Sequence, residues 1–161
     1  MSVNVYPEDK LVSAMCGNTS AVAFVCLLAR VFHLWDDLID KDKQVSDSDI
    51  NAAFTHALVT IPTNEFYQQH FWALQPIIRN AITNWHIATQ IERSPNESNY
   101  PIAFILRSSA VDIITACATI IGGEEHAVRV GRDIHLFAHR ETLGGYLSNL
   151  AAEKAAREQR E

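Results

Sequence analysis

The distribution of glycine constrains this chain more than any other feature. After Gly17, the sequence contains no further glycine until Gly122. Tight hairpin turns depend on glycine, because their central residues adopt positive φ angles that other residues avoid. A long segment that lacks glycine and is interrupted only by prolines therefore predicts helices, and we expect an all-α protein.

Capping residues and apolar spacing place the individual helices. We expect a short helix near residues 8–15 and a long central helix from the Asn18-Thr19-Ser20 cap to about residue 41. Further helices are expected over 46–61, over 63–93 with a break or kink at Pro76, over 102–121, and from 124 onward. Together they predict a bundle of five or six helices that forms a single domain over residues 1–150, followed by a solvated tail over 151–161.

Size, composition and charge limit the class of protein. The chain has 161 residues, of which 48% are hydrophobic and 20% charged, and its formal net charge is −6. This size and composition are typical of one folded domain. Because the phosphate backbone of nucleic acids attracts basic surfaces, the negative net charge argues against a nucleic-acid partner.

The sequence also bears on location. The apolar run over residues 21–29 is too short to span a membrane, and the first residues lack the basic region of a secretory signal. Cys16, Cys26 and Cys117 lie in apolar surroundings, which predicts buried free thiols instead of a disulfide or zinc framework. We therefore expect a cytoplasmic protein with no membrane span.

Three aspartates gather on one face at the end of the long central helix. Asp36, Asp37 and Asp40 lie within an arc of about 100°, and about 6 Å of helix axis separates Asp36 from Asp40. The helix dipole and mutual repulsion both oppose carboxylates there. This placement predicts a compensating Mg²⁺ or Mn²⁺ ion that shares its coordination shell with a small phosphorylated ligand. The alternative is a solvated acidic face that ends the helix.

The stretch Leu34-Trp35-Asp36-Asp37-Leu38-Ile39-Asp40 resembles the first aspartate-rich motif, D-D-x-x-D, of the class I terpenoid and isoprenyl diphosphate synthases. The resemblance is local. It covers residues 31–42 and the helical pattern, and the second metal motif of that family is not found in the sequence. The resemblance implies a partly terpenoid-synthase-like bundle in which the three aspartates of the motif bind Mg²⁺ at a cavity mouth, and the Mg²⁺ holds a diphosphate.

The sequence therefore predicts Mg²⁺-dependent binding, and by extension cleavage, of a prenyl diphosphate-like ligand. Two alternatives stay open. One is an all-α nucleoside-triphosphate pyrophosphohydrolase, whose acidic helices also surround Mg²⁺. The other is a non-enzymatic structural or interaction protein, for instance a phage-encoded one, in which the acidic motif is vestigial. Whether the protein is an enzyme is left open.

Two residues of the 102–121 segment are further candidates for ligand binding. Arg107 can contact a phosphate, or it can pair with an acidic side chain. Asp112 lies on a polar stripe with Ser108 in an otherwise apolar helix. Because an unpartnered buried carboxylate is costly, Asp112 is expected either to face the metal or a polar cavity, or to bond to Ser108 or an arginine.

A second polar stripe follows, made by Arg132, His135, His139 and Tyr146. His135 and His139 have the spacing of half a zinc site, but we favour a face that contacts solvent or a partner. Aromatic residues near Phe71 and Trp72 offer an apolar surface for self-association, and a homodimer that completes a cavity is one possible assembly.

Overall fold

Within the residues that the computed structural model describes, 6–41 and 43–158, every regular element is a helix. The helices are α1 (Glu8–Ala14), α2 (Thr19–Asp40), α3 (Asp47–Thr55), α4 (Glu65–Gln69), α5 (Phe71–Glu92), α6 (Tyr100–Arg107), α7 (Val111–Ala138) and α8 (Leu143–Glu158). A π-helical turn over His56–Thr60 extends α3, and a 3₁₀ turn over Glu97–Asn99 precedes α6. The predicted all-α, single-domain class is confirmed, although the helices are more numerous than the five or six expected.

The helix starts follow the predicted caps. The Asn18 side chain accepts a hydrogen bond from the backbone N–H of Ala21 at 3.0 Å, and α2 begins at the next residue. At the start of α3, the Ser46 hydroxyl accepts a hydrogen bond from the backbone N–H of Asp49 at 3.1 Å. Each bond satisfies a donor that the first turn of a helix leaves unpaired. Lys41 then ends α2 in the left-handed conformation, with φ 56°.

The core forms around α2, as its apolar sequence predicts. Its buried apolar side chains are Ala21, Val22, Phe24, Val25 and Leu28. Phe24 is fully buried and stacks on the ring of Tyr67 at 5.2 Å. Burying one large apolar side chain stabilises the fold by about 1.5–3 kcal/mol, so this shared core is the main source of stability. Side chains from other elements complete it, among them Leu11, Met15, Leu74, Ile113, Cys117 and Ile134.

The predicted single helix over 102–121 is wrong, because the chain divides into α6 and α7 across residues 108–110. The hydroxyls of Ser108 and Ser109 donate to the carbonyls of Ile105 and Leu106 at 2.7 and 2.8 Å. Such bonds offer the backbone an alternative to the continuous helix. A second change of direction occurs at Gly123, with φ 78° and ψ 178°, at the predicted glycine boundary.

A break or kink was expected at Pro76, and the chain does not break there. Pro76 lies inside α5, and the interruption falls at His70, which separates α4 from α5 with φ −116° and ψ 19°. Pro76 belongs to the second turn of α5, so its missing N–H removes a hydrogen bond from one end of the helix only.

The free cysteines differ in exposure. Cys117 is buried and Cys26 is partly buried, but Cys16 is exposed, so the prediction that all three thiols are buried is wrong. Cys16 follows the end of α1 and has a φ of 48°, in a turn that the apolar neighbours in the sequence did not indicate.

The segment Glu97–Ala138 is long and apolar enough to count as a candidate membrane span, with a mean hydropathy of 1.7 over a window that is 28% buried. Length and composition alone do not distinguish such a segment from a core helix. In the structure, i→i+3 hydrogen bonds replace the α-helical pattern at residues 108–110, and Gly123 has a non-helical conformation.

The predicted solvated tail is helical as far as the structure describes it. α8 continues through residue 158, and Ala151 and Ala152 are exposed. Residues 159–161 lie outside the described residues.

Candidate functional site

An apolar cavity of about 250 Å³ lies beside α2, between it and the α6–α7 segment. Aliphatic and aromatic side chains line most of its wall, among them Val25, Phe32, Phe104, Ile113 and Phe137. Polar and charged residues join them, among them Asp36, Arg107, Ser108, His139, Arg140 and Glu141. A mainly apolar cavity with a few convergent polar groups has the general character of a small-molecule site.

A network of buried and partly buried polar groups, here called the arginine cluster, adjoins this cavity and consists of Arg107, Glu92, Asp36, Asp40 and Tyr146. Arg107 donates from Nε to Oε1 of Glu92 at 2.9 Å and from Nη2 to the other carboxylate oxygen. Its Nη1 donates to Oδ1 of Asp36 at 3.4 Å, and its Nη2 lies 3.9 Å from Oδ1 of Asp40. The Tyr146 hydroxyl donates to Glu92. The cluster therefore joins α2, α5, α6 and α8.

Aromatic packing holds the arginine in place. The guanidinium of Arg107 lies over the ring of Trp85, 4.0 Å from the ring centre, and Trp85 packs on Trp35 at 4.3 Å. Trp85 and Glu92 are seven residues apart, so they share one face of α5. That face presents the ring and the carboxylate together, and the two fix the plane of the guanidinium.

The cluster contains more acidic than basic groups. The carboxyls of Asp36, Asp40 and Glu92 all lie within 4 Å of the guanidinium of Arg107. Burial raises the pKa of Asp36 to about 7; the Asp40 charge raises it too, whereas Arg107 lowers it. Burial opposes the charge of Arg107, but its bond to Glu92 and the charges of the three acids raise its pKa above the ordinary value. Asp36 is therefore the carboxyl that takes up a proton near neutral pH.

Asp37 belongs to a different group. Lys43 donates to Oδ1 of Asp37 at 2.9 Å, and Nε2 of His33 lies 3.7 Å from Oδ2. The aspartates of the D-D-x-x-D motif thus face two separate basic partners. Arg107 and Lys43 thus lie beside the three acids within the protein itself. Their pairing was not visible in the spacing of the acids.

The described residues do not fit a metal ion in this arrangement. Nowhere in 6–41 and 43–158 do three or more His, Cys, Asp or Glu side chains form a group that could hold one. Binding of Mg²⁺ or Mn²⁺ at Asp36, Asp37 and Asp40 stays a prediction of the sequence.

Arg107 and Asp112, the two other candidates, lie apart. Arg107 pairs with acidic side chains, which is the alternative that the sequence left open for it. The Asp112 side chain is 55% exposed, and its Oδ1 lies 4.0 Å from Nε2 of His135. The bond expected between Asp112 and Ser108 is replaced by one between Ser108 and His139. Asp112 therefore has a surface position, where a charged carboxylate needs no buried partner.

Ser108 and His139 form a polar pair in the cavity wall. Nε2 of His139 lies 2.9 Å from Oγ of Ser108, and the hydroxyl lies 2.7 Å from the carbonyl of Ile105. Because that carbonyl can only accept, the serine proton points to it and the histidine donates to Oγ. His139 also stacks on His135 with ring centres 6.4 Å apart.

Several residues of this site were missed in the sequence. Tyr146 was expected on a face that contacts solvent or a partner, yet it is 1% exposed and bonds to Glu92. Glu92 was not considered, although it is the single acidic residue of α5 and lies in the last turn, where the helix dipole disfavours a carboxylate. That signal could have identified Glu92. Nothing local indicated Trp85 as a partner of Arg107.

Comparisons with protein-family models, with curated proteins and with solved structures found no match to this chain.

Proposed function

We propose that this protein binds a small, mainly apolar molecule in the cavity, with a polar group of the ligand next to Asp36. The observation that carries the proposal is the cavity itself, about 250 Å³ in volume, with apolar walls that meet a buried carboxyl. The cavity is partly open to solvent, so a small molecule can reach it. An engineered cavity of about 150 Å³ takes up benzene, so this one accommodates roughly ten non-hydrogen atoms by proportion.

Binding is favoured over catalysis because the polar groups of the cavity are engaged with one another. The Nε and Nη2 atoms of Arg107 both donate to the Glu92 carboxylate. The Ser108 proton is directed at a backbone carbonyl. These described polar groups are hydrogen-bonded within the protein and are not arranged as a nucleophile with its base. The contacts therefore support a ligand pocket more directly than a catalytic site.

A prenyl diphosphate is a second candidate, favoured by one observation. Asp36, the first aspartate of the motif that resembles D-D-x-x-D, lines this apolar cavity. A diphosphate would have to displace Glu92 from Arg107 to reach the guanidinium. The pyrophosphohydrolase and interaction-protein alternatives stay predictions, and Trp72, which is 87% exposed, is the natural position at which to test self-association.

The proposal is tested by filling the cavity. Trp85 lies in the cavity wall, so its emission should report titration with 1-nonanol or naphthalene, with calorimetry as an independent measurement. Ala29 lines the cavity, and Ala29→Phe is expected to weaken binding of both ligands at least tenfold. The matched control is Ala23→Phe, an exposed position on the same helix, which should bind as the parent protein does.

Circular dichroism and thermal unfolding establish that both variants are folded. If Ala29→Phe is not, the smaller change Ala110→Leu, also in the cavity wall, replaces it. The proposal fails if the parent protein binds neither ligand, or if a folded, filled variant binds them with unchanged affinity.

A further inference from the structure

We infer that the cavity selects a ligand with an aromatic ring over a saturated ligand of the same size. The inference rests on the proposed function, because it names the chemical class of the molecule that enters that same cavity. It depends on the rings in the cavity wall and not on the charges of the polar groups.

Aromatic side chains are concentrated in the cavity wall. Five of the 22 residues that line it are phenylalanine, tyrosine or tryptophan, whereas these residue types make up 9% of the chain. Each comes from a different part of the fold: Tyr6 precedes α1, Phe32 belongs to α2, Trp85 to α5, Phe104 to α6 and Phe137 to α7. Because these elements surround the cavity, a ligand in it meets aromatic surface from more than one side.

Neighbouring rings in the wall stand at steep angles to each other. Tyr6 and Phe137 form a perpendicular pair, with ring centres 5.3 Å apart and an angle of 89° between their planes. Phe104 stands at 67° to the imidazole of His139, which also lines the cavity, with centres 5.7 Å apart. Aromatic rings have negative faces and positive edges, so a perpendicular pair offers both kinds of surface. A further ring can meet a face of one member and an edge of the other, which a saturated ring cannot exploit.

The rings differ in how much of their surface the protein already uses. A guanidinium lies over one face of Trp85 and of Phe137, 4.0 and 4.3 Å from the ring centres. These two rings can therefore offer only the other face or an edge. In the part of the chain that the structure describes, no guanidinium covers Phe32, and its ring neighbour is Trp35, 6.1 Å away at an angle of 55°. Phe32 is thus the ring to vary.

The energy of aromatic pairs sets the size of the expected preference. An offset or edge-to-face pair contributes about two- to tenfold in affinity beyond the apolar area that it buries. A saturated ligand of the same skeleton gains the area contribution alone. Contact with two of the wall rings should therefore favour an aromatic ligand by about tenfold once the difference in hydrophobicity is removed.

The experiment compares three neutral alcohols with the same number of non-hydrogen atoms: 3-phenyl-1-propanol, 3-cyclohexyl-1-propanol and 1-nonanol. Calorimetric titration gives each affinity, which is divided by the hexadecane–water partition coefficient of the ligand. We expect the corrected affinity of the phenyl compound to exceed that of the cyclohexyl compound by at least about tenfold. Because all three ligands are neutral and end in the same hydroxyl, the charges around Asp36 do not enter the comparison.

Two variants localise the preference. Phe32→Leu removes one ring from the wall and should reduce the preference for the phenyl compound at least about threefold. Ile114→Val is the matched control, because this partly buried residue also lines the cavity and its shortening enlarges the space without removing a ring. It should keep the preference within about twofold. Circular dichroism establishes that both variants are folded, and Phe104→Leu replaces Phe32→Leu if the latter is not.

The outcomes separate this inference from the proposed function. If none of the three alcohols binds, the proposed function fails and the inference fails with it. If the cyclohexyl compound or 1-nonanol binds and the phenyl compound has no higher corrected affinity, the cavity binds ligands but the aromatic assignment is wrong. A preference that is unchanged in both folded phenylalanine variants would overturn the assignment of selectivity to the wall rings.

A measurement on the unmodified protein keeps the inference testable should neither phenylalanine variant fold. Nuclear Overhauser effects from the ring protons of bound 3-phenyl-1-propanol should reach the ring protons of the phenylalanines in the cavity wall. Effects that reach only the methyl groups of the aliphatic wall residues would contradict ring-to-ring contact.

Discussion

At the scale of single residues, Arg107 and Asp36 illustrate opposite consequences of burial. The arginine keeps its charge because its planar fork meets the Glu92 carboxylate with two bonds while Trp85 covers one of its faces. Asp36 accepts one longer bond, 3.4 Å, from the same guanidinium. Burial therefore raises the pKa of Asp36 and favours its protonated form. The two side chains occupy the same site, and the difference lies in the number and length of their contacts.

The raised pKa of Asp36 predicts that Asp36→Asn stabilises the protein at alkaline pH. The folded chain holds a proton on Asp36 up to about pH 7, whereas the unfolded chain releases it near pH 4. Because the folded state binds more protons in that window, the free energy of unfolding falls as the pH rises from 4 to 7 and then levels off. Asparagine cannot ionise, so its variant should be more stable than the parent at pH 8 by on the order of 2 kcal/mol.

Urea unfolding at pH 5 and pH 8 measures this difference. Asp37→Asn serves as the control and should lower stability by less than about 1 kcal/mol at pH 8, because it removes a contact with the half-exposed Lys43. A deficit of Asp36→Asn that is equally large at both pH values would show that burial of the ionised carboxyl is not costly here.

The residues of the site show what the sequence could and could not predict. The aspartate motif was found because the three acids are close in the chain and oppose the helix dipole. The cation that offsets two of them was not assigned, because Arg107 lies 71 residues from Asp36 along the chain. Nothing local distinguishes an arginine that binds phosphate from one that binds a distant carboxylate, and only the packing of α5 against α6 decides between them.

At the scale of elements, helix boundaries set by a local side-chain cap were predictable from the sequence. Boundaries at which side-chain bonds compete with the regular helical hydrogen bonds were not. Asn18 and Ser46 cap helices through bonds that span three residues, so the sequence alone locates them. The division between α6 and α7 depends on whether Ser108 and Ser109 bond to the preceding turn or to solvent. The same serines are also compatible with an unbroken helix, and the contact of Ser108 with His139 favours the break.

Gly123 gives a prediction about the kink in α7. Its φ of 78° and ψ of 178° fall in a region that is accessible almost only to glycine. An added Cβ would meet nothing within 4 Å, so any cost of Gly123→Ala comes from the backbone and not from a clash. We expect a loss of about 1–3 kcal/mol in the free energy of unfolding, measured by thermal or urea denaturation.

The comparison variant is Gly144→Ala, in the first turn of α8. Its Cβ would have ordinary contacts and its φ is not positive, so the better helix propensity of alanine should leave stability unchanged or raise it by up to about 1 kcal/mol. Equal stability of Gly123→Ala and the parent would mean that α7 tolerates a straight path through this residue.

At the scale of the whole molecule, the arginine cluster makes α8 part of the fold. Tyr146 and Leu150 are buried with Tyr100 in a small second core, and the Tyr146 hydroxyl caps the Glu92 carboxylate. Farther along α8, Lys154 lies 3.9 Å from Glu97, with both side chains largely exposed. Stability should therefore depend on the first half of α8 much more than on the second.

Truncation at two positions tests that division. A chain that ends at residue 153 loses the Lys154–Glu97 pair and should unfold within about 0.5 kcal/mol of the full chain, because an exposed ion pair contributes little. A chain that ends at residue 142 loses Tyr146 and opens the Arg107–Glu92 pair to water, and it should lose about 3 kcal/mol or more. Tyr146→Phe removes the hydroxyl alone, and its free energy of unfolding should lie between those of the two truncated chains. Equal stability of the two truncated chains would contradict the role assigned to Tyr146.

The order in which the cluster is assembled has a consequence for synthesis on the ribosome. Asp36, Glu92 and Arg107 emerge before Tyr146, so the nascent chain holds its charged groups for some time without the hydroxyl that completes their bonds. Domains generally fold as units during synthesis. The α2–α5–α6 end therefore completes its hydrogen bonds only after Tyr146 of α8 has left the exit tunnel.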